Sequence, residues 1–284
     1  MVPSPRFVHT PKLRLLPTVY PRLFQFGPVA LPTEGVCLVV GLLLALMLAQ
    51  AAARRLQIAQ ETMWNLSMTA VLSALVGAKL VLILESGGAF LHYPLLVLSL
   101  SVLRSSSARV GGSLLALMAV LLYMRVQRMP LLRTLDAAAP ALALGDAFAH
   151  LGAFASGAEY GAPTTLPWGI VFHSRWAALW AGTPLGVRLH PAQLYLCGFD
   201  LLLCALLWRW LPRQRQTGET LGAGLFLYGL ASYGVELLRG DVNFLLLHGA
   251  LSPQQAMAAL MVVAGALLWM ERPAPQQHRG IHAV

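Results

Sequence analysis

The sequence predicts an all-α, polytopic integral membrane protein of about seven transmembrane helices with a long outer loop. Three observations predict it. The 284 residues are 57% hydrophobic and only 11% charged, whereas soluble domains carry about 25% charged residues. Mean hydropathy is +0.67. The apolar residues gather into runs close to the roughly 20 residues that cross a bilayer as a helix.

The runs are Val36–Ala53, Leu66–Leu84, Gly111–Met124, Leu135–Ala155, Pro191–Leu211, Thr220–Leu238 and Gln255–Met270. The third and last are short, so tilt, extension or snorkelling arginines must make up the span. Pro94–Leu103 is too short to cross and reads as a re-entrant or interfacial piece. Residues 1–33 hold Arg6, Lys12, Arg14, Arg22 and several prolines, and read as an interfacial arm or short amphipathic segment. Residues 34–272 form one membrane domain, followed by a cytoplasmic tail over 273–284.

The net charge of +9 would suggest nucleic acid in a soluble protein. Here the arginines sit mainly between apolar runs, where they act as topology signals and meet anionic headgroups. No nucleic-acid-binding motif accompanies them, so no nucleic-acid partner is expected. Arg54, Arg55, Arg125, Arg128, Arg133, Arg209, Arg213, Arg215, Arg272 and Arg279 fall on one side, against Arg104, Arg109, Arg175, Arg188 and Arg239 on the other. The first side is therefore expected to be cytoplasmic, with the amino terminus outside. Cys37, Cys197 and Cys204 lie in apolar runs without a C-x-x-C pair, which argues against a disulfide framework or zinc site.

This topology puts the loop over 155–190 on the outer face, and loops of that length usually carry function. Lys79, Asp146, His150, Asp200 and Glu236 lie in or near spans. Ionisable groups there are costly, so they line cavities or pair. A polar site inside the membrane, open to the outer loop, follows.

Asp146 and His150 are i, i+4 on one helix face, where the carboxylate either orients the imidazole or bonds another helix. Glu236 and Arg239 are i, i+3 and can pair, as a self-neutralising pair or as a carboxylate holding an anion-binding arginine. In "RLHPAQLY", Pro191 suits the first turn of a helix. It places His190 at the outer surface beside Arg188, Gln193 and Tyr195, as a general base or as part of a helix-start turn. Gly152, Gly157 and Gly161, then Pro163, Leu166, Pro167 and Trp168, read as backbone packed close to a ligand or as a structural turn with an interfacial indole. Lys79 in "GAKLVL" offers charge to a phosphate, pairs with Glu85, or snorkels.

Together these motifs resemble the bacterial prolipoprotein diacylglyceryl transferase family, from about the first span to the last. Gly152–Trp168 aligns without gaps to the family's G-N-F-x-N-G-E-x-x-G-x-P-T-x-L-P-W. "HPAQLY" is similar to H-P-S-Q-L-Y, "YGLASYGVELLRGD" to Y-G-x-x-R-F-x-V-E-x-x-R-x-P-D, "LSPQQ" to L-S-x-x-Q, and "GAKL" to G-A-R-L. The resemblance implies transfer of a diacylglyceryl group from phosphatidylglycerol to the lipobox cysteine of a prolipoprotein signal peptide. Glycerol phosphate leaves, and no metal or other cofactor takes part. It also implies a multi-pass protein of the bacterial inner membrane, in contact with membrane lipid.

The chain departs from the family pattern at several positions. Val110 stands where the family has the histidine of H-G-G-L, leaving Gly111 and Gly112. Ala149–His150 replaces a Gly-Arg pair, Ser232 replaces an arginine, and Lys79 replaces the arginine of G-A-R. Ala153, Ser156 and Ala158 replace two asparagines and a glutamate. The expected site therefore has His150, oriented by Asp146, in place of an arginine. His190 is the candidate base, and Glu236 holds Arg239. Lys79 and Arg239 meet phosphate, and Gly111, Gly112, Gly152, Gly157, Gly161, Gln193 and Tyr195 shape the substrate site. The other reading is a family member that binds lipid or lipoprotein without transfer.

Overall fold

A computed structural model of the chain describes residues 22–26, 29–85, 87–88, 106–241 and 251–270. The expected re-entrant piece Pro94–Leu103, most of the arm and the carboxyl-terminal tail lie outside the described residues. A short hairpin, β1 (Arg22–Phe26) and β2 (Val29–Pro32), leads into the bundle.

Each of the seven apolar runs is a helix. These are α1 (Thr33–Arg55), α2 (Gln60–Glu85), α3 (Ser106–Val126), α4 (Leu131–Ser156), α6 (Ala192–Trp210), α7 (Glu219–Glu236) and α8 (Pro253–Met270). The short α5 (Arg175–Ala181) lies in the long loop. Among the described residues, six helices are long and apolar enough to cross a membrane, all of the seven but α7. The run read as beginning at Gly111 starts a full turn earlier, at Ser106, which gives α3 its spanning length.

The outward faces carry Val39, Leu43, Met47, Leu72, Leu114, Leu122, Leu202 and Leu260, all exposed. In water such a surface would aggregate; in a bilayer it meets acyl chains, and the helical backbone satisfies its own polar groups. With lipid as apolar as leucine, helix contact comes from close approach of small residues. A side chain on Gly229 or Gly265 would strike the facing backbone where α7 crosses α8. Gly77 and Gly112 do the same where α2 crosses α3.

Helix α4 is the axis of the bundle, packing on α1, α6 and α7. Its alanines Ala137 and Ala141 join Ala49, Ala52, Ala53, Met63, Leu66 and Leu211, while Ala139 and Ala143 pack with Leu203, Leu207 and Ala223. Asp136, also on α4, accepts from the backbone N–H of Gly218 at 2.6 Å and of Leu221 at 2.8 Å. The N-cap of α7, Gly218, offers no side chain to the helix start, and the α4 carboxylate supplies the cap.

Candidate functional site

Helix α4 ends at Gly157, whose left-handed φ of 83° turns the chain out of the helix. The segment that follows is stitched to two other elements through its backbone. Gly161 N–H donates to His190 at 3.1 Å, and His190 N–H donates to Ala162 at 3.0 Å. Ala162 N–H donates to Leu238 at 2.7 Å, and Gly240 N–H donates to Tyr160 at 3.0 Å. Gly161 thus lies between the start of α6 and the end of α7, so close to the His190 carbonyl that a side chain would collide with it. Farther along, β3 (Ile170–Val171) pairs with β4 (Arg188–Leu189). Thr183 Oγ1 donates to the Gly157 carbonyl at 2.8 Å and secures α5.

The "HPAQLY" side chains finish this frame. Gln193, fully buried, donates through Nε2 to the Ala158 carbonyl. Tyr195 Oη accepts from Trp168 Nε1 at 2.8 Å and lies 3.4 Å from His190 Nδ1. The Trp of L-P-W and the His and Tyr of the α6 start are therefore one cluster.

Stitching the loop down puts Glu159 over the end of α4. His150 Nδ1 lies 3.4 Å from Glu159 Oε2, and His150 Nε2 lies 3.7 Å from Asp200 Oδ2 on α6. Arg109, from the first turn of α3, reaches Glu159 Oε1 at 3.4 Å. Burial raises the Glu159 carboxyl, but His150, Arg239 and Arg109 outweigh it and hold it down at about 2. Glu159 is therefore a permanent anion at neutral pH.

Arg239 forms a two-pronged pair with Asp241, Nε to Oδ1 at 2.8 Å and Nη2 to Oδ2 at 2.7 Å. The expected Glu236–Arg239 pair is present as well, at 3.5 Å. Burial lowers the Arg239 guanidinium, and Asp241, Glu159 and Glu236 more than offset it, so its pKa is raised. Glu236 Oε1 accepts from Ser252 Oγ at 2.8 Å. Ser252 and Gln255 in turn cap α8 reciprocally, each backbone N–H donating to the other's side chain. The L-S-x-x-Q motif is thus a capping box wired to the Glu236–Arg239 pair.

The structure differs from the sequence expectation at several positions. The ion pairs of His150 are to Glu159 and Asp200, not to Asp146; Asp146 acts on the ring only at longer range. Gly111 and Gly112 meet Ala74, Gly77, Ala78 and Val81 of α2 at a helix crossing. Lys79 follows Ala78 on the same helix and is half-buried. Gly152 lets the start of α1, at Glu34 and Cys37, close on α4. Sequence reasoning missed Glu159, and it took Arg109 only as a loop charge. Glu159 stands one residue past Ala158, which occupies the family's glutamate position, and that near coincidence was the available signal.

The family model described as prolipoprotein diacylglyceryl transferase matches residues 21–271. Similar proteins named phosphatidylglycerol–prolipoprotein diacylglyceryl transferase occur in several bacteria. One from Bordetella bronchiseptica is 31% identical, covering 89% of this chain and 95% of its own length. One from Clostridium tetani is 27% identical, covering 78% and 86%. One from Parasynechococcus marenigrum is 29% identical, covering 90% and 95%. The loop stitched between His190 and Arg239, the Trp168–Tyr195–His190 cluster and the capping box on Glu236 are built from the motifs that carry this likeness, and the chain belongs to the prolipoprotein diacylglyceryl transferase family.

Proposed function

We propose that this chain transfers a diacylglyceryl group from phosphatidylglycerol to the cysteine thiol of a prolipoprotein, at the loop end of its bundle. The observation that carries the reading is the family match across residues 21–271. The same matches favour transfer over binding without transfer. The site faces the outer side of the bacterial inner membrane, with the basic ends of α1, α3 and α6 in the cytoplasm. The membrane domain runs over 34–272, between an interfacial arm and a cytoplasmic tail.

The donor lipid enters sideways from the bilayer. The thiol loses its proton, because the thiolate is the nucleophile. Its sulfur bonds to the terminal glyceryl carbon of the donor as that carbon's bond to the phosphate oxygen breaks. Glycerol phosphate leaves with the bonding electron pair. His190 takes the thiol proton at Nε2, its Nδ1 being turned to the Tyr195 hydroxyl. Arg239 is held by Asp241 and Glu236 through its Nε edge, which turns the rest of the fork to the phosphate. Lys79 adds a second cation. Preorganised donors of this kind stabilise charge as it develops on the leaving group. His150, fixed between Glu159 and Asp200, occupies the position of a family arginine. Gln193, Gly157 and Gly161 hold the loop that covers the substrate, Gly152 seats α1 beside it, and Gly111 and Gly112 seat α3 so that Arg109 reaches Glu159.

Rescue in cells tests this. A bacterium depleted of its own transferase, supplied with this chain, should restore membrane attachment of a reporter lipoprotein. A reporter left as unmodified precursor, with the chain present in the membrane, contradicts the proposal.

A further inference from the structure

Between β3 and β4 the chain forms a closed lobe that contains α5. Its stem is the β3–β4 pairing, extended by the Gly186 N–H, which donates to the Phe172 carbonyl at 3.1 Å. One side of the lobe is pinned to the last turn of α4. Phe172, almost fully buried, meets Phe154 edge to face with ring centroids 6.2 Å apart. Ala177 is buried so close to Gly157 that a side chain on that glycine would strike its Cβ. Thr183 Oγ1 donates to the carbonyls of both Gly157 and Ala177.

The rest of the lobe is apolar and uncovered. Leu179 follows Ala177 by two residues, about 200° round the helix, and is 73% exposed. Trp176 is 41% exposed, and its ring lies 5.3 Å from that of Trp180. Leu185 and Val187, on the way back to β4, are exposed as well. An apolar surface held rigidly outward marks a contact with a partner or a membrane.

Depth and charge identify what covers it. Helix α4 has 26 residues, about 39 Å at 1.5 Å per residue, against a hydrocarbon core about 30 Å thick. Its last turn, at Phe154, therefore stands at headgroup level. Phe172 packs beside that turn rather than beyond it, which brings α5 to the same depth. Indoles collect at that depth, with the ring in the apolar boundary and the N–H toward water. The ionisable residues of the lobe are His173 and Arg175, both exposed, with Arg188 at its foot. No acidic residue stands between Glu159 and Asp200. A surface that is apolar, bears indoles and carries no negative charge complements a layer of lipid phosphates.

We infer that the α5 lobe docks on the phospholipid headgroup layer of the chain's own bilayer. Trp176 and Leu179 sink into the acyl boundary, and Arg175 meets the phosphates. The loop shaped by Gly157 and Gly161 is thereby tied to the bilayer surface as well as to the helices. The docking is independent of the transfer reaction and holds equally for a chain that binds without transfer.

Spin labelling of the full chain tests this, in nanodiscs of phosphatidylglycerol and phosphatidylcholine in equal parts. Cys37, Cys197 and Cys204 are first replaced by alanine. Leu179→Cys carries the reporting nitroxide. Leu114→Cys, on the exposed face of α3, and Thr217→Cys, in the exposed turn before α7, serve as the lipid and water references. Oxygen concentrates in lipid and a nickel chelate in water. The ratio of oxygen to nickel-chelate collisions at the Leu179 site should exceed that at the Thr217 site several-fold. A ratio no higher than at Thr217 puts the lobe in water and overturns the docking. A label shielded from both reagents sets the face against protein, a second copy or a signal peptide, and overturns it too. Tryptophan emission gives a second reading with the native cysteines in place. The emission lost in Trp176→Phe, wild type minus variant, should be quenched more by lipids brominated on the acyl chains than by aqueous iodide. The opposite order overturns the docking.

Discussion

The Glu159 carboxylate lies 3.4 Å from the Nδ1 atom of His150, joining the first loop residues after α4 to a side chain nearly two turns inside that helix. The pairing sets a pH dependence whose sign is defined. Glu159 is held at about 2, below its ordinary 4.5. A carboxyl lowered on folding stabilises the folded state fully above its unfolded pKa, and that stability is lost as pH falls through the folded value. The melting-temperature gap between wild type and Glu159→Gln should therefore be constant from neutral pH down to about 5 and close as pH falls toward 2. Thermal melts in detergent across that range check this. A gap that closes at neutral pH contradicts it.

Removing the Asp136 cap should destabilise the bundle. Asp136→Ala leaves the Gly218 and Leu221 N–H groups buried without their carboxylate. Hydrogen bonds to a charged group contribute about 1.5–3 kcal/mol, so a loss of about 3 kcal/mol is expected. Equilibrium unfolding measures it. Asp136 is on α4 at the end away from the loop, so folded Asp136→Ala should keep the wild-type KM for donor lipid.

Gly161→Ala should damage the site through backbone. The added methyl meets the carbonyl and Cβ of His190, neither of which is a flexible chain end. Overpacking of this kind costs about 1–3 kcal/mol. The loop must lift off α6, so transfer activity should fall more steeply than stability. A variant with wild-type turnover would show that the Gly161–His190 contact does not position the site.

Ser252→Ala removes the α8 cap and one hydrogen bond to Glu236 together. Loss of a serine N-cap costs about 1 kcal/mol. Hydrogen exchange should rise in the first turn of α8. Ser252→Thr, which keeps the hydroxyl, should restore both protection and melting temperature.

Much of this molecule was legible in its sequence, for identifiable reasons. The runs were visible because a bilayer demands length and apolarity within one continuous segment, a demand that six of the seven helices meet. The Glu236–Arg239 pair was visible because i, i+3 spacing fixes adjacency on a helix. The same logic failed for Asp146 and His150. The i, i+4 spacing puts both on one face, but the imidazole reaches outward to Glu159 and Asp200 on other elements. Arg109 and Glu159 are 50 residues apart, and no periodicity encodes a contact at that separation. The glycines divide in the same way. Gly157 and Gly161 shape the loop, whereas Gly111, Gly112 and Gly152 serve helix crossings that only packing reveals.

The central claim is that the loop end of this bundle transfers a diacylglyceryl group to a cysteine thiol. Intact-mass analysis of a lipobox peptide tests it most directly, after incubation with the purified chain in phosphatidylglycerol vesicles. The account predicts a gain of one diacylglyceryl group on the cysteine with wild type, and none with His150→Ala or Arg239→Ala. An unmodified peptide with folded wild-type protein, beside an active relative as control, would contradict it.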